Sequence, residues 1–134
     1  MDKSEKVKFD LEQRLVEFAV RIIDLAEALP KTFAGKHIGG QIIRSGTSPA
    51  LNYAEAQAAE SNADFVHKMK ICLKELRETM VSLKIIVQKG YFKTERLDPI
   101  LKENDELIAI FVKSVSTAKK ITKISHSLSE YTSC

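Results

Sequence analysis

The chain has 134 residues, of which 44% are hydrophobic and 29% are charged. This length corresponds to one domain, and the composition excludes an intrinsically disordered chain. A domain of this size buries enough surface to fold without disulfides or a structural metal. The net charge of +3 is weak evidence for a nucleic-acid partner, since solubility alone accounts for it.

The N-terminal segment 1–10 is mixed in charge and too polar for the apolar core of a signal peptide. No apolar run approaches the ~18 residues that a membrane-spanning helix needs. Cys72 and Cys134 lack the neighbours of a zinc site and suit a reducing compartment. We therefore expect a soluble cytoplasmic protein with no membrane partner and with a flexible segment 1–10.

The first predicted helix begins at Leu11 and ends before Pro30, because proline disfavours helix in the residue that precedes it. One apolar stripe alternates spacings of four and three: Leu11, Leu15, Phe18, Ile22, Leu25 and Leu29. A second stripe, formed by Val16, Val20 and Ile23, lies beside the first. Either the helix is deeply seated in its own bundle, or the second stripe is a subunit interface.

The second predicted helix covers about 33–59 and is disturbed between Gly46 and Pro49. Pro49 removes a backbone donor and presses on the preceding turn, so we expect a kink or break there. Glycines elsewhere in the segment permit close approach of a neighbouring helix. Three hydroxyl groups can bond the freed backbone groups or cap a new start: Ser45, Thr47 and Ser48.

The third predicted helix begins at Ser61 or Asn62 as its N-cap and ends at Gly90, a favoured C-cap residue. The fourth, capped by Thr94, covers about 95–124, and its early carboxylates and late lysines complement the helix dipole. Segment 125–134 is rich in serine and threonine, and we expect a flexible tail. Because three connections are short, the pattern predicts an all-α, antiparallel up-down four-helix bundle over residues 11–124.

No combination of residues predicts catalysis, a metal site or a cofactor. His37, His67 and His126 are far apart in sequence, and the Glu-x-x-His pairs of di-iron bundles do not occur. The glycines of segment 35–40 lack the preceding strand and following Lys-Ser/Thr of a phosphate loop. We therefore expect no enzymatic activity and no small-molecule substrate.

Basic residues concentrate at one end of the predicted bundle, where helices one and three start and helix four ends. In an antiparallel bundle this end collects Lys3, Lys6, Lys8, Lys68, Lys70, Lys119, Lys120 and Lys123. Acidic residues dilute the patch (Glu5, Glu12, Glu60 and Asp64), and on a single subunit the competing interpretation is an ordinary solvated surface. A ring of subunits would repeat the patch and add phosphate contacts across copies. The predicted nucleic-acid contacts are Lys68, Lys70, Lys74, Arg77, Lys119, Lys120 and Lys123.

Several polar residues lie in or near apolar surroundings in helices two and three: Arg44, Ser48, Asn52, Glu55, Glu75 and Glu78. We interpret them as an interhelical network that sets register, with Arg44 buried next to a carboxylate as a satisfied ion pair. The competing interpretation is a ligand or enzyme site built on Arg44, Asn52 and Glu55.

The stretch from Gly39 to Leu83 carries motifs in the order Gln-x-x-Arg-Ser-Gly-Thr-Ser, Asn-x-x-Glu-Ala, Asp-Phe-x-x-Lys and Leu-Lys-Glu-x-x-Glu-Thr. It resembles the bacterial four-helix-bundle family of ribosomal-RNA (23S rRNA) intervening-sequence proteins, related to the accessory variability proteins of retroelements. The matching residues are Gln41, Arg44, Ser45, Gly46, Thr47, Ser48, Asn52, Glu55, Ala56, Asp64, Phe65, Lys68, Leu73, Lys74, Glu75, Glu78 and Thr79. The chain departs from the pattern at Pro49-Ala50-Leu51, where Val-Gly-Ala is frequent.

The resemblance implies an up-down bundle that assembles into a homopentameric ring. In the retroelement branch, a basic pentamer binds nucleic acid and a reverse transcriptase. We therefore expect a non-enzymatic homo-oligomer that associates with RNA or DNA, or acts as an accessory to a nucleic-acid enzyme. The alternative hypothesis is a structural protein-interaction module without nucleic-acid affinity.

Overall fold

The computed structural model describes the backbone of residues 3–132 and the side chains of residues 11–129. Four helices follow one another along the chain: α1 (Lys3–Glu27), α2 (Phe33–Gln57), α3 (Asn62–Lys89) and α4 (Thr94–Thr132). Within residues 3–132 there is no β-strand. The prediction of an all-α protein with four helices is therefore confirmed. No helix in this part of the chain is both long and apolar enough to cross a membrane.

Each helix packs antiparallel to the one that follows it in the chain. Ile22 of α1 lies against Gly46 of α2, and Ser45 of α2 contacts Thr79 of α3. The end of α4 returns to the start of α3, where Asn62 Nδ2 donates a hydrogen bond to the Ala118 carbonyl at 2.8 Å. Helices α1 and α4 approach less closely than the consecutive pairs do.

The ends of α3 lie where the sequence predicts them. The Ser61 hydroxyl accepts a hydrogen bond from the Asp64 amide at 3.1 Å, which satisfies one of the unpaired donors of the first turn. Gly90 closes the helix in the left-handed conformation, with φ of 79°, a backbone geometry that favours glycine. Thr94, predicted as a cap, is the first residue of α4.

Two helices extend beyond the predicted bounds of the bundle, residues 11–124. Helix α1 begins at Lys3; the side chains of residues 3–10 lie outside the described residues, and the flexibility of segment 1–10 stays a prediction. Helix α4 continues to Thr132, past the predicted end near residue 124. Ile121, Ile124 and Leu128 continue the helical spacing, and neither glycine nor proline occurs after Pro99. Residues 133–134 of the predicted tail lie outside the description.

Helix α2 is continuous through Pro49, so a break at this point is ruled out, while the alternative of a kink stays a prediction. Proline removes a single backbone donor, and Pro49 is buried, so packing against neighbouring helices offsets the cost of about 3 kcal/mol. Side chains bond backbone carbonyls around the proline. The Thr47 hydroxyl donates to the Ile43 carbonyl at 2.7 Å, and the thiol of Cys72 donates to the Pro49 carbonyl at 3.5 Å.

The buried side chains form one apolar cluster between the four helices, to which every helix contributes. Tyr53 of α2 and Phe111 of α4 meet edge to face across the core, with ring centroids 6.0 Å apart. The polar side chain of Asn104 in α4 is also fully buried there. Its carboxamide, oriented to satisfy both partners, donates to the Leu76 carbonyl at 3.2 Å and accepts from the Met80 amide at 3.1 Å. Asn104 therefore joins α4 to the backbone of α3.

Candidate nucleic-acid interface

A depression of about 410 Å³ lies between the start of α3 and the end of α4. Three of the predicted nucleic-acid contacts line it, and none of its lining residues is acidic: Ala63, Val66, Lys70, Lys119, Thr122, Lys123 and His126. We call it the basic depression. Lys119 and Lys123 are four residues apart and therefore share one face of α4, while Lys70 comes from α3.

Hydrogen bonds from Asn62 determine the position of Lys70 relative to the lysines of α4. The side-chain amide of Asn62 donates to both the Ala118 carbonyl and the Thr122 hydroxyl. Thr122 in turn donates to the Ala118 carbonyl at 3.1 Å. These contacts fix the register of the antiparallel α3–α4 pair, and that register brings Lys70 next to Lys119.

The closeness of these two ammonium groups has an electrostatic consequence. Repulsion from Lys119 lowers the pKa of Lys70, although Lys70 is exposed to solvent. A bound anion between the two lysines would relieve this repulsion, because an opposite charge nearby favours the protonated form. The basic depression is thus electrostatically suited to a phosphate group.

Other predicted contacts lie elsewhere. Lys68 points toward α2 and forms an ion pair with Glu55 at 2.7 Å; this hydrogen bond raises the pKa of Lys68. Lys120 is exposed but is not among the residues that line the depression. The side chains of Lys3, Lys6 and Lys8 lie outside the described residues. The structure therefore brings together Lys70, Lys119 and Lys123 from the predicted set.

Lys74 and Arg77 line a separate groove of about 780 Å³ between α2 and α3. We call this the α3 groove. Its lining combines cationic, polar and apolar side chains: Gln41, Arg44, Ser45, Lys70, Leu73, Lys74, Arg77, Glu78, Val81, Ser82 and Ile85. Lys70 lines both the groove and the basic depression, so one cationic surface continues from the middle of α3 to the end of α4.

The predicted polar network divides into three separate groups along the α2–α3 interface. Arg44 binds Glu75 at 3.0 Å and Glu78 at 2.9 Å. Asn52 donates to the hydroxyl and the carbonyl of Ser48, at 2.8 and 3.0 Å. Glu55 pairs with Lys68. The Arg44 and Glu55 groups link α2 to α3, whereas the Asn52–Ser48 group lies within α2.

The predicted burial of Arg44 is wrong: its side chain is 60% exposed, and Glu75 is the buried partner. Arg44 lies at the rim of the interface, from which its long side chain reaches the carboxylate inside. Burial raises the pKa of Glu75, and Glu78 raises it further, while Arg44 opposes both effects. Conversely, the hydrogen bond from Arg44 is the main cause that lowers the pKa of Glu78.

Sequence reasoning missed a buried hydroxyl pair beside this ion pair. The oxygen atoms of Ser45 and Thr79 are 2.9 Å apart, and Thr79 also donates to the Glu75 carbonyl at 2.8 Å. The sequence indicates the burial of one member of the pair, because Ser45 falls between the core positions Ile42 and Pro49 at helical spacing.

The enzyme hypothesis required Arg44, Asn52 and Glu55 to converge on a ligand. Each of them instead has its own protein partner, and none but Arg44 lines the α3 groove. Among the described residues, no group of three or more His, Cys, Asp or Glu side chains could hold a metal ion.

The residues predicted as a subunit interface lie on the side of α1 that faces away from the core. Val16 and Val20 are 43% and 51% exposed, and Ile23 is half-buried. Val16 and Val20 therefore leave much of their apolar surface exposed to solvent.

Comparisons with known proteins place these features in a family. A search of curated proteins finds no match. Among solved structures, the chain is similar to a protein of unknown function from the S23 ribosomal protein family of Bacteroides thetaiotaomicron VPI-5482. The identity is 32% and the TM-score 0.75, over 81% of this chain and 97% of that one. The family model described as 23S rRNA-intervening sequence protein matches residues 8–113. The chain therefore belongs to the 23S rRNA-intervening sequence protein family.

Proposed function

We propose that the protein is a non-enzymatic homo-oligomer that binds the phosphate backbone of nucleic acid through the basic depression. The observation that carries the proposal is the convergence of Lys70, Lys119 and Lys123 from two helices on one concave surface without an acidic lining residue. Contacts of this kind supply affinity without reading sequence, since lysines bind phosphate oxygens and not base edges.

RNA is the first ligand to test. The family carries the name of a ribosomal RNA insertion, and the similar solved structure is assigned to a ribosomal protein family. Duplex DNA is the second ligand, because its phosphate backbone offers the same negative charge to the three lysines. A role as an accessory to a nucleic-acid enzyme is compatible with the same surface.

The test compares two variants with the same change in charge. In the first, Lys70, Lys119 and Lys123 are replaced by glutamine. In the control, the exposed residues Lys36, Lys93 and Lys102 are replaced by glutamine; all three lie toward the opposite end of the bundle from the basic depression. Fluorescence anisotropy with labelled RNA and duplex DNA at low salt measures the affinity. We expect the first variant to bind at least about tenfold more weakly than the control, a loss of 1.4 kcal/mol or more.

Equal affinity of the two variants would contradict the assignment of the site. It would leave only a general effect of net charge. No binding by the wild-type chain at low salt would favour the alternative function, a protein-interaction module.

Self-association is the second part of the proposal. The exposed Val16 and Val20 support it, because paired large aliphatic side chains on an outer helix face are typical of a subunit contact. A pentamer is the expected assembly, as the family resemblance implies. Five copies would repeat the basic depression around a ring, and their phosphate contacts would add in one complex. Sedimentation velocity at micromolar concentration tests this part, and a monomer would contradict it.

A further inference from the structure

The outer face of α1 combines an apolar stripe with negative charge. Val16 and Val20 lie opposite the core side of the helix, and four exposed carboxylates flank them: Glu12, Glu17, Asp24 and Glu27. None of these carboxylates forms an ion pair with another described residue. The nearby Arg14 points away from this face and binds Glu103 and Glu106 of α4. We call this surface the acidic face of α1.

The α3 groove has the opposite charge and a similar apolar content. Lys74 and Arg77 are exposed and take part in no ion pair with another described residue. Val81 and Ile85 follow them at helical spacing and are 56% and 50% exposed. Leu73 adds a half-buried side chain to the same lining. The groove is therefore complementary in charge to the acidic face, and both surfaces leave aliphatic side chains in water.

The two surfaces also lie at the same height along the bundle. Ile22 of α1 is beside Gly46 of α2, and its neighbour Ser45 is beside Thr79 of α3. The middle of the acidic face is thus level with the middle of the α3 groove. Since α1 and α3 run in the same direction, copies arranged side by side with parallel axes would bring the two surfaces into register.

We propose that the acidic face of α1 in one copy packs into the α3 groove of the next copy. This contact rests on the proposed self-association and specifies the surfaces that form it. It joins two different surfaces, so it is heterologous and leads to a closed ring or, if the rotation does not close, to an open fibre. Lys74 and Arg77 are then subunit contacts, and the phosphate contacts are confined to the basic depression.

The apolar lining of the groove favours a second copy over nucleic acid as its occupant. A phosphate backbone would neutralise Lys74 and Arg77 but would leave Val81 and Ile85 without an apolar partner. At the register described above, Glu17 lies close to the level of Lys74, Val16 and Val20 lie close to Leu73 and Arg77, and the half-buried Ile23 lies close to Val81. The contact therefore pairs a carboxylate with a cation and aliphatic groups with Leu73 and Val81. Burial of both apolar surfaces contributes a favourable free energy of association that a phosphate contact lacks.

Charge reversal on each surface, alone and together, tests the contact. One variant carries Glu17→Lys and Asp24→Lys, a second carries Lys74→Glu and Arg77→Glu, and a third carries all four changes. The control carries Lys93→Glu and Lys102→Glu. Sedimentation velocity across a concentration series gives the association state, and circular dichroism verifies that each variant is helical.

We expect each two-residue reversal to weaken self-association by at least about tenfold, because like charges then face each other. The four-residue variant restores the wild-type assembly, since the signs are again opposite. Rescue of this kind is not expected from a loss of folding. The control assembles as the wild type does.

Three outcomes would overturn the proposal. A wild-type monomer removes self-association and this contact together. Wild-type assembly that neither reversal changes removes the contact alone and leaves the proposed oligomer standing. Unchanged assembly of the Lys74→Glu/Arg77→Glu variant, together with weaker RNA binding, would make the groove part of the phosphate surface.

Discussion

The Cγ2 atom of Ile22 in α1 lies 2.6 Å from the position that a Cβ atom at Gly46 of α2 would occupy. Ile22 is fully buried, and its Cβ and Cγ1 atoms are within 3.0 Å of the same position. The contact involves the base of the side chain, so a rotamer change cannot relieve it. The absence of a side chain at Gly46 is therefore what allows α1 and α2 to pack at this distance.

Replacement of Gly46 by alanine should destabilise the protein. Overpacking a close contact costs about 1–3 kcal/mol, whereas alanine in place of glycine gains up to about 1 kcal/mol of helix propensity. We expect the free energy of unfolding to fall by about 1–2 kcal/mol, measured by urea denaturation at one protein concentration.

Gly40→Ala is the matched control in the same helix. No atom outside its local backbone lies within 4 Å of a Cβ at Gly40, so we expect a gain of about 0.5–1 kcal/mol. Equal effects of the two substitutions would contradict the account of α1–α2 packing.

Asn104 should contribute to stability through its two hydrogen bonds to the backbone of α3. Asn104→Leu keeps a large side chain in the core but removes both bonds. We expect a loss of about 1–3 kcal/mol, because two hydrogen bonds of about 0.5–1.5 kcal/mol each are removed. Denaturation of this variant beside Asp105→Leu, at an exposed neighbouring position, checks the effect; a stabilised Asn104→Leu variant would show that the bonds contribute nothing net.

The two carboxylates bound by Arg44 should give opposite pH dependences. The folded pKa of Glu75 is raised above 4.5, chiefly by burial, so the stability it contributes is present below its unfolded pKa and lost as pH rises through the folded value. The pKa of Glu78 is lowered by Arg44, so its contribution is present above the unfolded pKa and lost as pH falls through the folded value.

Unfolding of the wild type, Glu75→Gln and Glu78→Gln between about pH 3 and pH 7 measures these contributions. The stability difference between wild type and Glu75→Gln should become less favourable to the wild type as pH rises. The stability difference between wild type and Glu78→Gln should become more favourable to the wild type as pH rises. Slopes of the same sign for both variants would contradict the assigned environments.

Cys72 should be unreactive in the folded protein. Its side chain is buried, and burial raises the pKa of the thiol to about 12, so little thiolate is present at neutral pH. In a Cys134→Ser variant, a thiol reagent at about pH 8 should modify Cys72 only as fast as the protein unfolds. Stoichiometric labelling within the dead time of mixing, under native conditions, would be inconsistent with this burial.

Local sequence signals predicted the helices well because each signal acts over a few residues. Ser61 and Gly90 mark the ends of α3 through capping chemistry that depends on their own backbone. The effect of Pro49 could not be predicted in this way. Whether a proline breaks a helix depends on the packing of neighbouring helices, and the buried Pro49 lies within a continuous α2.

Long-range pairings were predicted less completely. Asn104 lies in an acidic stretch of sequence that indicates an exposed surface, yet its partners belong to the backbone of α3. Likewise, Lys68 binds Glu55, whereas Lys70 approaches Lys119. Which lysine faces which helix depends on the rotation of α3 about its axis. A rotation of that kind follows from the packing of the whole bundle and leaves no local pattern.

The salt dependence of RNA binding by the wild-type chain tests the central claim most directly. If lysines of the basic depression contact phosphates, the logarithm of the affinity should fall linearly with the logarithm of salt concentration between about 50 and 200 mM. The slope should be about 0.7 per phosphate contact on a single strand, and therefore about 2 or more for the three lysines of one copy. RNA binding that is insensitive to salt, or no RNA binding at about 50 mM salt, would contradict the claim.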